Sequence, residues 1–194
     1  AGLLLLIKGQ AYTQDSEPSA ESEAPSVEEV YLESDVTLDT LTAQLRSPER
    51  DAQLLAMETL EQQIKSGVVS PEDQRVLEAL DPLVRRGVIE VARNSARPIE
   101  AYDPLVRMEA VRVIGDLGTP EAKRVLVRTV QHDPEPIVRS QALYSIAASG
   151  EDVDGMVTQA IGKMMLSEHM RRFDERVMYA ALVAIRAIAA DEDN

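Results

Sequence analysis

The chain has 194 residues, of which 44% are apolar, so it is long enough and apolar enough to bury one sizeable core. It contains no cysteine, which excludes disulfides, zinc sites built on thiolates and cysteine nucleophiles. Aromatic residues supply only 3% of the chain, so the core must consist of the aliphatic residues and methionine that commonly fill helix interiors.

More than half of the net charge of -14 lies in the first 45 residues. Between Gly9 and Leu45 the sequence has nine Asp and Glu residues and no lysine or arginine. From Arg75 to Arg139, by contrast, eleven basic residues balance ten acidic ones. Nucleic-acid-binding domains usually carry a basic excess because phosphate contacts dominate their affinity, so the balanced charge disfavours that class of protein.

The N-terminal arm, residues 1–36, is predicted to precede the folded domain. The apolar run from Leu3 to Ile7 is too short to span a bilayer. We interpret residues 1–11 as the remnant of a signal peptide with a cleavage site at Gly9-Gln10-Ala11, which predicts export to a bacterial periplasm or cell envelope. The alternative is an apolar end without a targeting role, in a cytoplasmic protein. Residues 12–36 are rich in Ser, Glu, Pro and Ala and predict a disordered acidic linker.

From residue 37 to residue 190 the apolar residues recur at helical spacing, which predicts a domain of helical hairpins, followed by an acidic end at 191–194. The predicted hairpins pair 38–46 with 50–65, 71–93 with 104–117, 120–130 with 136–148, and 153–166 with 174–190.

One pattern recurs along this domain, and its two strongest copies are separated by an offset of 32 residues. Its first copy is Val106-Arg107, Ala110, Ile114 and Gly118, and its second is Val138-Arg139, Ala142, Ile146 and Gly150. A weaker third copy is Val177, Ala181 and Ile185. A period of about 30 residues is typical of stacked supersecondary units that share one core.

The five letters DPLVR occur twice, from Asp81 and from Asp103. The two occurrences lie too close together in sequence to begin successive helical pairs. Asp as N-cap followed by Pro favours a helix start for local reasons. The sequence therefore predicts a kink or a restart at Asp81-Pro82 inside a long helix, followed by a loop over 95–102.

These residues resemble the HEAT repeat, including its short bacterial variety of phycobilisome-lyase type. The second helix of that repeat typically begins Asp-Pro-x-Val-Arg and continues to an Ala and a Leu-Gly ending, as DPLVRMEAVRVIGDLG does at 103–118. The resemblance covers roughly residues 37–190. It implies an all-α solenoid of about four antiparallel helical hairpins, and a scaffold or adaptor role without a specific activity.

The sequence offers no constellation for catalysis or metal binding. His132 and His169 each stand alone, and no Walker, Gly-x-Ser-x-Gly or Gly-x-Gly-x-x-Gly pattern occurs. We therefore predict no catalytic residue, no cofactor, no metal and no small-molecule substrate. Asp152 and Asp154 are interpreted as helix N-caps.

Two sets of residues are singled out on the repeats. Arg107 and Arg139 occupy the same repeat position, and we expect each to pair with an Asp at a helix start, such as Asp103 or Asp133, and so to fix the stacking of adjacent hairpins. A ligand-facing ladder of arginines is the alternative. The candidate partner-binding surface consists of polar residues on the second helices: Glu109, Arg112, Gln141 and Tyr144.

The resulting hypothesis is a non-enzymatic scaffold that binds another protein, without nucleic acid and without a membrane span. Two alternatives remain: a chromophore-attachment lyase of the HEAT-like family, and a HEAT-like DNA-repair protein.

Overall fold

Eight helices make up the part of the chain that the structure, a computed structural model, describes: residues 37–93, 103–152, 155–170 and 174–192. They are α1 (37–45), α2 (Arg50–Lys65), α3 (Gln74–Arg93), α4 (Pro104–Leu117), α5 (Pro120–His132), α6 (Pro136–Ser149), α7 (Met156–Met170) and α8 (Glu175–Glu192). No strand occurs in these residues. The predicted all-helical class is confirmed.

The helices form two layers. Helices α2, α4, α6 and α8 pack side by side in one layer, and α3, α5 and α7 do so in the other. Each hairpin joins the layers, because α3 contacts α4, α5 contacts α6 and α7 contacts α8. Neighbours within a layer run in the same direction, as the contacts Arg50–Asp103 and Arg112–Glu61 between α2 and α4 show. This arrangement is the predicted α-solenoid of HEAT-like hairpins.

A continuous core lies between the two layers. It extends along the chain from Leu38 in α1 to Ile188 in α8 and is built from Leu, Val, Ile, Ala and Met. Ala110, Ala142 and Ala181 are all fully buried, so the three repeat copies place the same residue at equivalent inward positions. A small side chain at this position lets the helices approach closely, which favours dense packing.

Local capping explains where the repeat helices begin. Asp103 accepts a hydrogen bond from the backbone N–H of Leu105 at 2.9 Å, and Thr119 accepts one from Ala122 at 3.2 Å. A proline follows each cap, where its missing N–H leaves no donor unsatisfied. Gly118, with a φ of 66°, ends α4 in the left-handed region that favours glycine.

Two helices begin slightly later than predicted. Helix α3 begins at Gln74 rather than residue 71, because Asp73 accepts the backbone N–H of Arg75 at 2.9 Å and ends the preceding turn. Helix α7 begins at Met156 rather than residue 153. Asp152 caps it from a distance by accepting the backbone N–H groups of residues 157 and 158.

Of the kink or restart predicted at Asp81-Pro82 inside a long helix, the restart does not occur: α3 runs without interruption through Pro82. The proline removes one intrahelical hydrogen bond, the one that would reach the carbonyl oxygen of Glu78. Asp81 is not a cap here. Its carboxylate forms ion pairs with Arg85, one turn along α3, and with Arg128 of α5 at 2.7 Å. Packing between neighbouring helices therefore overrides a local helix-start signal.

Several predictions concern residues outside those that the structure describes. They are the signal-peptide remnant at 1–11, the acidic linker at 12–36, the loop at 95–102 and the cap at Asp154. Of the acidic end, 191–194, the first two residues continue α8, and the other two also lie outside the described residues.

Candidate protein-interaction surface

The outward side of α4 and α6 carries the same arrangement twice. On α4 it consists of Leu105, Glu109, Arg112 and Asp116, and on α6 of Ile137, Gln141, Tyr144 and Ala148, each at the repeat offset from its counterpart. The spacing i, i+4, i+7, i+11 keeps each set on one side of its helix. Leu105 and Ile137 are both 39% exposed, so the repeat equivalence extends from the core to the surface. We call these eight residues the second-helix face.

Helix α2 borders this face with acidic side chains. Asp51, Leu55 and Glu58 are exposed on α2 and line a shallow groove of about 510 Å³ that Glu109 and Arg112 close from α4. Leu55 lies among carboxylates and remains 60% exposed. The surface thus changes from acidic along α2, beside the second-helix face, to uncharged and partly apolar along α6.

Arg112 holds an ion-pair network that joins the first two hairpins. Its guanidinium donates to Glu61 of α2 at 2.7 Å and to Glu109, one turn back on α4, at 3.0 Å. Asp116 lies 3.7 Å away on the other side. Glu61 also contacts Lys65 on its own helix. The network fixes the register between α2 and α4, although Glu61 and Arg112 are far apart in sequence.

The network favours the charged forms of Glu61 and Arg112. Hydrogen bonds from Arg112 and then from Lys65 lower the pKa of Glu61 to about 2. The hydrogen bonds to Glu61 and Glu109 raise the pKa of Arg112 above its ordinary value. Burial raises the pKa of Asp116, against the attraction of Arg112. Glu61 and Arg112 therefore stay charged throughout the physiological range.

The structure places the predicted partner-binding residues on α4 and α6 and joins two of them by a hydrogen bond. Glu109 and Arg112 are joined by a hydrogen bond on α4. On α6, Gln141 donates a long hydrogen bond of 3.5 Å to Ser145, and Tyr144 is 41% exposed. Their role in binding stays a prediction.

Sequence reasoning missed Glu61, Leu55, Leu105 and Ile137. For Leu105 and Ile137 a signal exists, since they are separated by the same offset that relates the buried repeat positions. The exposure of Leu55 has no such signal, because it depends on what packs against α2.

The predicted structural positions connect consecutive hairpins. Asp103 pairs with Arg50 of α2 at 2.9 Å, and Arg107 pairs with Asp133, which lies between α5 and α6. Arg139 occupies the corresponding place on α6 and is half-buried.

A cleft with a volume of about 860 Å³ lies in the other layer, between α3 and α5. Its charged lining is occupied by internal ion pairs, which join Asp73 to Arg75, Asp81 to Arg128 and Glu121 to Arg124. Within the described ranges, no group of three or more His, Asp or Glu residues is placed to hold a metal ion. In the same residues, no helix is both long and apolar enough to cross a membrane.

A comparison with known protein families finds a match in the middle of the chain. Residues 97–147 match the family model described as HEAT repeats. The matched segment takes in α4, α5 and most of α6, the helices that carry the two strongest copies of the pattern. A comparison with curated proteins and with solved structures finds no match for this chain.

Proposed function

Since this chain carries HEAT repeats at 97–147, we propose that it is a non-enzymatic scaffold or adaptor that binds another protein through its second-helix face. HEAT repeats commonly mediate protein–protein interaction. The single observation that carries the proposal is the repeated, exposed arrangement on α4 and α6, with Leu105 and Ile137 equally exposed at equivalent positions.

The second-helix face suits binding because it is held in place before a partner arrives. Arg112 is fixed by Glu61 and Glu109, and the helices that carry the face pack on a continuous core. A partner then meets a rigid surface, which lowers the ordering cost of association. Leu105, Ile137 and Tyr144 supply apolar area, and aromatic residues such as tyrosine are enriched where interface energy concentrates.

The charge of the face favours a partner segment with basic residues beside apolar ones. Asp51 and Glu58 on α2 would attract lysine or arginine, while Ile137 and Tyr144 on α6 would contact apolar side chains. The same carboxylates would repel phosphates, so we do not propose nucleic acid as a partner. A helix or a loop of another protein fits this combination.

Site-specific photo-crosslinking tests the proposal. A photo-reactive amino acid replaces Tyr144 in one version of the full chain and Arg124 in another, and each is irradiated in native extract. Arg124 is an exposed residue of α5 in the opposite layer, so it is the matched control. We expect the Tyr144 version to give a discrete crosslinked protein that mass spectrometry identifies and the Arg124 version to give none.

A second arm of the experiment tests whether the crosslink depends on the second-helix face. Replacing Ile137 with Asp in the Tyr144 version should abolish the crosslink, because a charge would stand in the apolar part of the face. Equal crosslinking from both layers, or a crosslink that survives Ile137→Asp, would show that the second-helix face is not the binding surface.

A further inference from the structure

The last helix exposes positions that the earlier repeats bury. Under the offsets that superpose the three buried alanines, Val111 of α4 and Leu143 of α6 correspond to Leu182 of α8. Val111 and Leu143 are fully buried, whereas Leu182 is 57% exposed. In α4 and α6 the next hairpin covers this side of the helix. Helix α8 therefore presents a stacking side with nothing stacked on it among the described residues.

The neighbours of Leu182 extend the same exposed side. Ile185 corresponds to Ile114 and Ile146, which are buried, yet it is 37% exposed. Tyr179, one turn before Leu182, is also largely exposed. We call Tyr179, Leu182 and Ile185 the α8 end face. An exposed apolar side of this kind on a packed helix calls for a covering element.

The first hairpin differs from the last in this respect. Apart from Ala43 and Leu55, the exposed residues of its helices are polar: Asp39, Thr40, Gln44, Arg50, Asp51, Glu58, Gln62 and Lys65. A head-to-tail stack of copies would place the apolar α8 end face against this polar hairpin. The two ends of the stack are therefore not complementary to each other.

We propose that the α8 end face binds the α8 end face of a second copy of this chain, with the two helices antiparallel about a two-fold axis. Two charged residues favour this antiparallel arrangement over a parallel one. Glu175 and Arg186 are both exposed, project on the same side of α8 as Leu182, and form no ion pair with another described residue. They are separated by about three helical turns, which is about 16 Å along a helix.

Antiparallel pairing of this face is self-complementary. In an antiparallel pair of identical helices, two residues face each other when their numbers add up to a constant sum. The pair Tyr179 and Leu182 has the same sum as the pair Glu175 and Arg186. If Tyr179 lies opposite Leu182 of the second copy, Glu175 therefore lies opposite Arg186 of the second copy. The two-fold axis repeats each contact, which gives two apolar contacts flanked by two opposite-charge contacts. A parallel arrangement would instead set Glu175 against Glu175 and Arg186 against Arg186, which is repulsive.

The first test is the mass of the full chain in solution. Sedimentation velocity from about 1 μM to about 1 mM should show a monomer–dimer equilibrium. Leu182→Glu should weaken dimerisation at least ten-fold, because it places two charges in the apolar contact. Leu55→Glu is the matched control, since Leu55 has nearly the same exposure on α2, and it should leave the dimer unchanged. Circular dichroism confirms that both variants remain helical.

A charge swap tests the geometry separately. Glu175→Arg and Arg186→Glu should each weaken the dimer about ten-fold, since each sets like charges against one another. The double variant restores opposite pairs and keeps the native net charge of -14, so it should return dimerisation to within about three-fold of the native value. A chain that stays monomeric throughout the concentration range would overturn the proposal. So would equal effects of Leu182→Glu and Leu55→Glu, or a double variant as weak as the single ones.

Discussion

Arg107 of α4 makes a two-pronged ion pair with Asp133, the residue that closes the turn before α6. Its Nε and one terminal nitrogen donate to the two carboxylate oxygens at 2.9 and 3.2 Å, and the side chains are only 3% and 0% exposed. Asp133 also accepts the backbone N–H of Glu135 at 2.9 Å. A buried pair of this geometry ties the second hairpin to the third and sets the distance between them.

Breaking this pair from one side should be strongly destabilising. Asp133→Ala leaves the Arg107 cation buried without its carboxylate, and we expect a loss of about 3 to 5 kcal/mol in the free energy of unfolding. Arg107→Met with Asp133→Ala should cost clearly less than the sum of the two single changes, because it leaves no buried charge. Urea unfolding of the four proteins measures this coupling.

The exposed pair Arg50–Asp103 is the control, and Arg50→Met should cost less than about 1 kcal/mol, since Arg50 is half exposed. If Asp133→Ala cost no more than Arg50→Met, the buried pair would not fix the stacking.

Glu61 should make stability depend on pH. Its pKa is lowered to about 2 in the folded protein from an ordinary value of 4.5, so its contribution is complete above about pH 4.5. As the pH falls from there towards 2, Glu61 becomes protonated in the folded state and the contribution disappears. Glu61→Gln should therefore cost about 1 to 2 kcal/mol at pH 7, after allowance for solvent screening of Arg112.

The measurement is the urea midpoint of the native chain and of Glu61→Gln between pH 7 and pH 2.5. The gap between the two should narrow steadily below pH 4.5. A gap that stays constant with pH would mean that the charge of Glu61 plays no part.

The parts of the fold that the sequence predicts correctly are those that depend on local signals. The helix start at Asp103-Pro104 can be predicted because it needs only a capping carboxylate and a proline. The buried alanines can be predicted because they follow helical spacing. The helix-start signal at Asp81-Pro82 shows where prediction from local signals fails. The same letters that start α4 lie inside α3, because Arg128 of a later helix engages Asp81 and the helix continues.

The candidate surface is less predictable than the fold, because exposure depends on what packs against each helix. Glu109 and Arg112 were expected on the surface, but Glu61, which holds Arg112 in place, lies far earlier in the sequence. Ile146 and Ile185 have the same place in the repeat pattern. Helix α8 packs against α6, whereas no later helix among the described residues packs against α8, so Ile146 is buried and Ile185 is exposed.

Asp152 should stabilise the start of α7 through its charge. Its two oxygens accept the backbone N–H groups of Val157 and Thr158 at 2.7 and 2.9 Å. Burial raises the pKa of Asp152, but hydrogen bonds from the side chain and the backbone of Thr158 and from the backbone of Val157 outweigh it, and the net pKa is lowered. The contribution is therefore present above the unfolded pKa and is lost as the pH falls through the folded one.

We expect Asp152→Ala to cost about 0.5 to 2 kcal/mol at pH 7, as for the loss of other N-caps. Asp152→Asn should recover part of that loss, because the amide oxygen still accepts one N–H. Thermal unfolding at pH 7 and pH 3 compares them, and an Ala variant as stable as the native chain at pH 7 would contradict the capping role.

Two glycines inside helices should respond in opposite ways to substitution by alanine. A Cβ on Gly115 of α4 would lie 2.5 Å from both the Cβ and the Oγ of Ser145 on α6, so the two helices would have to separate. Gly162 of α7 is exposed and has no neighbour within 4 Å of such a Cβ. Alanine is the better helix former by about 1 kcal/mol, so Gly162→Ala should raise the free energy of unfolding by up to that amount.

At Gly115 the clash should exceed this gain, and Gly115→Ala should lower the free energy of unfolding by about 1 to 3 kcal/mol. Adding Ser145→Gly removes the atoms that the new methyl group meets. The double variant should therefore lose less than Gly115→Ala and Ser145→Gly lose in sum. Urea unfolding of the four variants and the native chain decides the matter. If Gly115→Ala raised the free energy of unfolding as Gly162→Ala is expected to, then α4 and α6 would not approach each other at Ser145 as closely as the structure shows.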